Sequence, residues 1–181
     1  MKFTKTYISN LLIIDLDLIK DNRGWFSRSF CENEFKKIGF NERFVQHNHS
    51  FNKYKGTMRG MHFQLEPQNE AKMIRCISGK VFDVAVDLRK GSSTFLKWFG
   101  IELSEFNKKM IFIPRGFGHG FLTLEDKSEL IYYHSESYNK DLDSGFSFLD
   151  PLVNIKWPNR IKIISEKDRN LPNIPTNFIG L

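Results

Sequence analysis

Residues 72–104, "KMIRCISGKVFDVAVDLRKGSSTFLKWFGIELS", decide the fold. At their centre, "VFDVAVDLR" (81–89) puts Phe82, Val84, Val86 and Leu88 on one face of an extended chain and Asp83, Asp87 and Arg89 on the other. That alternation predicts a half-buried strand. Before it, "KMIRCI" is strand-like and "SGK" supplies a turn; after it, "KGSST" breaks the pattern and "FLKWFGIEL" resumes it. Further short strands follow in "KKMIFIP", "GHGFLTL" and "SELIYYHS", divided by "RGF" and "EDKS". Many short strands at hairpin spacing imply an all-β chain: a β-sandwich, jelly roll or small antiparallel barrel.

The rest of the chain adds little regular structure to that frame. The one strong helical segment is short, "CENEFKKIGF", with Phe35 and Ile38 on one side and Gly39 as its stop. The last thirty residues, with Pro158, Pro172 and Pro175, predict irregular chain and one helical turn on the outside of the barrel. A length of 181 residues suits a single domain over 1–181. Eighteen Phe and an ordinary charged share argue for a globular chain rather than a disordered one. Lys and Arg exceed Asp and Glu by 27 − 21 = 6, but the basic residues are dispersed. An anionic small ligand explains that excess, and no clustered basic and aromatic face marks a nucleic-acid partner. Cys31 and Cys76 stand far apart and suggest neither a zinc site nor a disulfide. Asp15 and Asp17 interrupt the apolar opening, so neither a leader nor a membrane segment is expected, and the expected location is cytoplasmic.

A mostly apolar barrel interior makes any inward polar side chain conspicuous. In "RGMHFQ" (59–64), Gly60, His62 and Gln64 share one face, while Met61 and Phe63 share the other. Arg59 falls on the opposite parity from His62. Lys72 shares its face with Ile74 and Cys76, which fits either a strand end reaching water or a pocket that uses the charge. In "SELIYYHSESY", parity alone leaves open whether Tyr132 or Tyr133 points inward. Pro114, Gly116 and His119 stand in a PxGxxH pattern resembling the second box of cupin jelly rolls. Metal-binding cupins add two His and a Glu from an earlier box. Here "HNH" offers His47 and His49 without the Glu, and His62 has only Glu66 beyond it. The expected cupin therefore uses no metal.

Seven segments, "DNRGWFSRSFC", "QHNHS", "MRGMHFQ", "AKMIRCISGKVFDVAVDLRKGSSTF", "IPRGFGHGF", "ELIYYHSESY" and "SEKD", occur in an order and spacing that resemble the dTDP-4-dehydrorhamnose 3,5-epimerase family. The resemblance covers roughly residues 20 to 170. It implies a cupin-type jelly roll that needs no cofactor and forms a homodimer. The implied activity is inversion of C3 and C5 of a nucleotide-diphospho-4-keto sugar for surface-polysaccharide biosynthesis. The implied catalytic set is His62 as base, Asp168 as its carboxylate partner, Tyr132 as proton donor and Lys72 beside the developing enolate oxygen. The resemblance assigns Arg23, Arg59 and Lys167 to the phosphates and sugar. It makes His119 a further sugar or phosphate contact, Tyr138 a substrate-side aromatic, and Gln46 with Asn48 a nucleotide contact. The "RGWFSR" region, with Arg23, Phe26 and Arg28, is implied to serve the partner subunit's nucleotide pocket.

The departures from the family pattern lie at the nucleotide end. Arg28 and His47 stand where better-known members carry acids, and Asp143 replaces a Glu. A dTDP-linked 6-deoxyhexose is the default expectation, with GDP- or CDP-linked 4-keto hexoses or heptoses as alternatives. A C3-only epimerase and a non-catalytic or metal-binding sugar-binding cupin are the rival readings.

Overall fold

The structure is a computed structural model that describes residues 1–181. It opens with β1 (Lys2–Lys5) and β2 (Leu12–Asp15), a ribbon of β3 (Ile19–Asp21) and β4 (Gly24–Phe26), and helix α1 (Glu32–Lys37). The barrel strands follow as β5 (Gln46–Asn52), β6 (Thr57–Gln64), β7 (Lys72–Ser78) and β8 (Lys80–Asp87). Next come β9 (Trp98–Ser104), β10 (Met110–Ile113), β11 (Phe117–Thr123) and β12 (Ser128–His134). The chain closes with β13 (Asp143–Gly145), β14 (Ile163–Ile164) and the single-turn helix α2 (Glu166–Arg169). One sheet has the order β1-β2-β10-β7-β12-β5, and the other β13-β6-β11-β8-β9 with β14 parallel to β6. These are the two faces of a cupin-like jelly roll, one of the architectures the strand spacing allows and the one the family resemblance implies.

Three apolar layers hold it together. Ile74, Cys76, Val81, Ala85, Phe121 and Leu130 fill the space between the sheets. Outside the first sheet, Phe35 of α1 and Phe40 cover Met73, Met110 and Phe112. Gly39, at φ +89°, ends that helix as the sequence predicts. Outside the second sheet, Val153, Ile155 and Ile174 of the C-terminal chain cover Met61, Val84 and Val86. The apolar face of β8 (Phe82, Val84, Val86) packs outward against that chain, so its other face turns into the barrel beside Val81 and Ala85, which corrects the reading of β8 as half-solvated. The Asp-bearing face of β8 is not solvated: Asp83 and Asp87 are completely buried. Each survives there because it is hydrogen-bonded. Asp87 accepts from the Arg89 guanidinium at 2.9 and 2.7 Å and from the hydroxyls of Ser92 and Thr94 at 2.6 and 2.7 Å. Asp83 faces His119.

A bulge in β6 settles the parity of Arg59. His62 pairs with His119 and Arg59 pairs with Phe121, so β6 advances three residues while β11 advances two. The extra residue reverses the alternation and brings Arg59 and His62 to one wall. Gly60 makes it possible. Its φ of +114° disfavours an L side chain, and a Cβ there would lie 2.6 Å from the Gly120 Cα.

Candidate active site

Between the sheets, beyond the apolar filling, the barrel opens into a cavity of about 420 Å³. Its walls come from β5 (Asn48, Ser50), β6 (Arg59, His62), β7 (Lys72), β11 (His119), β12 (Tyr132, His134) and the α2 turn (Lys167, Asp168). A larger hollow of about 710 Å³ lies between β1, β2 and the end of α1. Of its basic groups, Arg115 is bound to Glu42 and Glu136, and Arg89 to Asp87. The smaller cavity is where histidines, a tyrosine, lysines, an arginine and a carboxylate converge on one space.

His62 lies with Met61 and Phe63 packed beneath it in the outer layer, so that packing fixes its strand. Its Nε2 is 2.8 Å from Asp168 Oδ1. Asp168 Oδ2 accepts the Gly60 N–H at 3.0 Å, and Ser165 caps the α2 turn by accepting the Asp168 N–H at 3.1 Å. Burial opposes the charge on Asp168, but the His62 hydrogen bond and charge and the Gly60 and Ser165 contacts outweigh it. The carboxyl is held below its usual range. With Nε2–H given to Asp168, His62 keeps its Nδ1 lone pair for another partner.

Tyr132, and not Tyr133, is the inward tyrosine. Tyr133 packs in the outer layer with Phe44, while the Tyr132 hydroxyl lies 2.8 Å from Ser50 Oγ at the cavity. Burial pushes the Tyr132 phenol well above its ordinary range, so it stays a proton carrier. Lys72 starts β7 with 7% of its surface exposed, its ammonium 3.1 Å from Glu70 Oε1. Arg59 donates its Nε–H to Asn52 Oδ1 at 2.7 Å, leaving its charge without a carboxylate partner. His119 lies 3.0 and 3.1 Å from the two oxygens of Asp83.

A rim extends from this wall. Lys167 and the Tyr138 hydroxyl both donate to Asp143 Oδ2, the latter at 3.1 Å. Gln46 accepts the Tyr138 N–H at 2.9 Å and donates to Asn48 Oδ1 at 3.2 Å. The remaining expected site residues stand apart from this cavity. His47 packs edge-on against Tyr133, with ring centroids 4.5 Å apart. Arg23 pairs with Asp21 at 2.5 Å, Arg28 with Glu34 at 2.8 Å, and Phe26 is 70% exposed on the β3–β4 ribbon.

Three participants escaped the sequence reading: Asp83, Glu70 and His134. Asp83 fell on the face assigned to water. Glu70 lies just outside β7 and His134 at the last position of β12, where alternation carries no signal. His134 was in phase with Tyr132, and that was the one available clue. No three His, Cys, Asp or Glu side chains converge as a metal-ligand set; each cavity histidine is backed by a carboxylate instead.

Fold and cavity define a class: a cupin-type jelly-roll enzyme whose working groups are acids, bases and cations. Comparison with known proteins narrows it. A family model described as dTDP-4-dehydrorhamnose 3,5-epimerase matches residues 5–175. The dTDP-4-dehydrorhamnose 3,5-epimerase of Shigella flexneri is 44% identical over 171 residues, 94% of each chain. The crystal structure of dTDP-4-dehydrorhamnose 3,5-epimerase from Elizabethkingia anophelis NUHP1 is similar with a TM-score of 0.93 at 38% identity, covering 98% of both chains. That of dTDP-6-deoxy-D-glucose-3,5-epimerase from Legionella pneumophila Philadelphia 1, in complex with dTDP-4-keto-L-rhamnose, gives 0.92 at 35% identity over 99% of this chain and 97% of that one. The chain belongs to the dTDP-4-dehydrorhamnose 3,5-epimerase family and is an isomerase.

Proposed function

We propose that the protein inverts C3 and C5 of a dTDP-linked 4-keto-6-deoxyhexose through an enolate, without a cofactor. The observation that carries this reading is that the His62–Asp168 pair, the Tyr132 hydroxyl and the Lys72 ammonium face one cavity from different elements. A carbon beside a ketone loses its proton when the electron pair moves to the carbonyl oxygen. His62 Nδ1 takes that proton, and Asp168 stabilises the imidazolium that results. Lys72 stands against the O4 enolate, where one preorganised donor in a dry site contributes about 3 to 4 kcal/mol. Tyr132 delivers a proton to the opposite face as the enolate collapses to the ketone, which makes the exchange an inversion. Afterwards His62 releases its proton to water and the tyrosinate takes one up.

Arg59, Lys167 and His119 suit the sugar and diphosphate because they bring positive charge or N–H donors to the same cavity. Gln46, Asn48, Tyr138 and Asp143 form the rim along which a nucleotide lies. The β3–β4 ribbon supports a homodimer. Ile19 and Phe26 are 68% and 70% exposed, and Arg23, Phe26 and Arg28 line no part of their own cavity. In the proposed dimer they reach the partner subunit's nucleotide. The test is incubation in D₂O with dTDP-, GDP- and CDP-linked 4-keto sugars, with deuterium read separately at C3 and C5. Exchange with the dTDP sugar at both carbons supports the reading. Exchange at C3 alone, or with another nucleotide, replaces it.

A further inference from the structure

Behind Lys72 lies a carboxylate–histidine pair that the reaction as described does not use. Glu70 Oε1 holds the Lys72 ammonium at 3.1 Å, and its Oε2 accepts the Nδ1–H of His134 at 2.8 Å. The other ring nitrogen of His134 lies 3.2 Å from Asn48 Nδ2, and Asn48 Oδ1 in turn accepts from Gln46. Since that amide nitrogen can only donate, His134 Nε2 accepts, and its proton sits on Nδ1. A chain of hydrogen bonds thus runs from the cavity rim to the ammonium.

We propose that Glu70 and His134 are positioning residues for Lys72. Glu70 is the counter-ion that keeps the ammonium charged and aimed into the cavity, and the His134 Nδ1–H keeps Glu70 ionised and in place. The proposal rests on the epimerase reading, in which Lys72 faces the oxygen where charge develops. Its logic is electrostatic. Lys72 shares a small cavity with the cations Arg59 and Lys167, and the side chains of Lys72 and Glu70 are 9% and 8% exposed. An ammonium so placed loses its proton more readily unless an anion adjoins it. Glu70 is the carboxylate ion-paired to Lys72. The other titrating groups facing the cavity have partners of their own: His49 with Glu129, His62 with Asp168, His119 with Asp83, Lys167 with Asp143, Tyr132 with Ser50, and Arg59 with Asn52. Burial works against the charge on Glu70, yet the His134 hydrogen bond and the Lys72 charge hold its carboxyl below the usual range.

The experiment is the pH profile of kcat for deuterium exchange in wild type, Glu70→Gln, His134→Ala and His134→Gln. Glu70→Gln keeps size and removes charge, so the alkaline limb moves down by at least about one pH unit. KM is unchanged, because the charge on O4 develops only in the transition state. His134→Ala leaves Glu70 without the donor that holds it on Lys72, so the alkaline limb moves down in the same direction by less. His134→Gln restores a donor and returns that limb to its wild-type position. Retained dTDP binding shows that a variant is folded, and the rescue by His134→Gln separates a positioning role from a structural one. Profiles that match wild type in shape and differ only in height, or losses carried in KM, overturn the proposal. Wild-type protein without exchange overturns the epimerase reading itself, so the two failures are distinct.

Discussion

Replacing Asp168 by asparagine should silence His62 without disturbing the fold. The Gly60 N–H needs an acceptor at the position of Oδ2, 3.0 Å away, so the carbonyl of the substituted amide must stay there. The amide NH₂ is then left where Oδ1 stood, 2.8 Å from His62 Nε2. That nitrogen must now accept, which moves the ring proton to Nδ1, the nitrogen that has to take the substrate's proton. The base is masked, and the stabilisation of the imidazolium is lost with it. General-base terms run from about 10² to 10⁴ in rate. At 1.36 kcal/mol per decade, this is a barrier increase of about 3 to 5 kcal/mol. The backbone contacts of Asp168 to Gly60 and Ser165 survive, so dTDP affinity and melting temperature should stay near wild type. The assay is deuterium incorporation into the 4-keto sugar at pH 7, beside a dTDP titration. A loss below about tenfold in a folded variant would falsify the role given to the pair.

Tyr132→Phe keeps the base and removes the acid; deuterium should still enter the substrate, but NMR of the recovered sugar should show little inverted product, and equal losses of exchange and inversion contradict the assignment. Gly60→Ala places a Cβ 2.6 Å from the Gly120 Cα at a φ of +114° and should destabilise by more than about 1 kcal/mol in urea titration; an unchanged midpoint contradicts the account of the bulge. Asp87 has its carboxyl lowered to about 2, with burial opposing and Arg89, Ser92 and Thr94 favouring the charge. Its contribution is present above the unfolded value near 4 and is lost as pH falls from about 4 to about 2, a change on the order of 2 kcal/mol. Denaturant titrations at pH 6 and pH 2.5 should show that loss in wild type and a smaller one in Asp87→Asn. Phe26→Asp should shift the sedimentation coefficient to that of a monomer and weaken dTDP binding, and an undisturbed dimer with full affinity argues against the ribbon as the shared element.

The sequence revealed more of the fold than of the electrostatics. Strand alternation located β7 through β12, and Gly39 marked the end of α1, because these depend on local pattern and turn chemistry. The solvent face assigned to β8 was wrong because the C-terminal segment covers the apolar face of that strand and leaves the Asp-bearing face turned into the barrel, and alternation cannot tell an outer face covered by a later segment from an inner one. Arg59 seemed out of phase with His62 because one bulge, at a glycine, resets the count. Of the expected catalytic residues, His62, Tyr132, Lys72 and Asp168 all reach the same cavity, and Asp168 does so from 106 residues away by a contact that no local pattern announces. Glu70 and His134 stayed hidden for a related reason: their meaning lies in a pairing between β12 and the entry to β7.

The most direct measurement of the central claim is the NMR spectrum of a dTDP-linked 4-keto-6-deoxyhexose after incubation with the purified protein in D₂O, with nothing else added. Loss of the proton signals at both C3 and C5, together with the coupling pattern of the inverted sugar, is the predicted result. Persistence of both signals at substrate concentrations that saturate the cavity would contradict it.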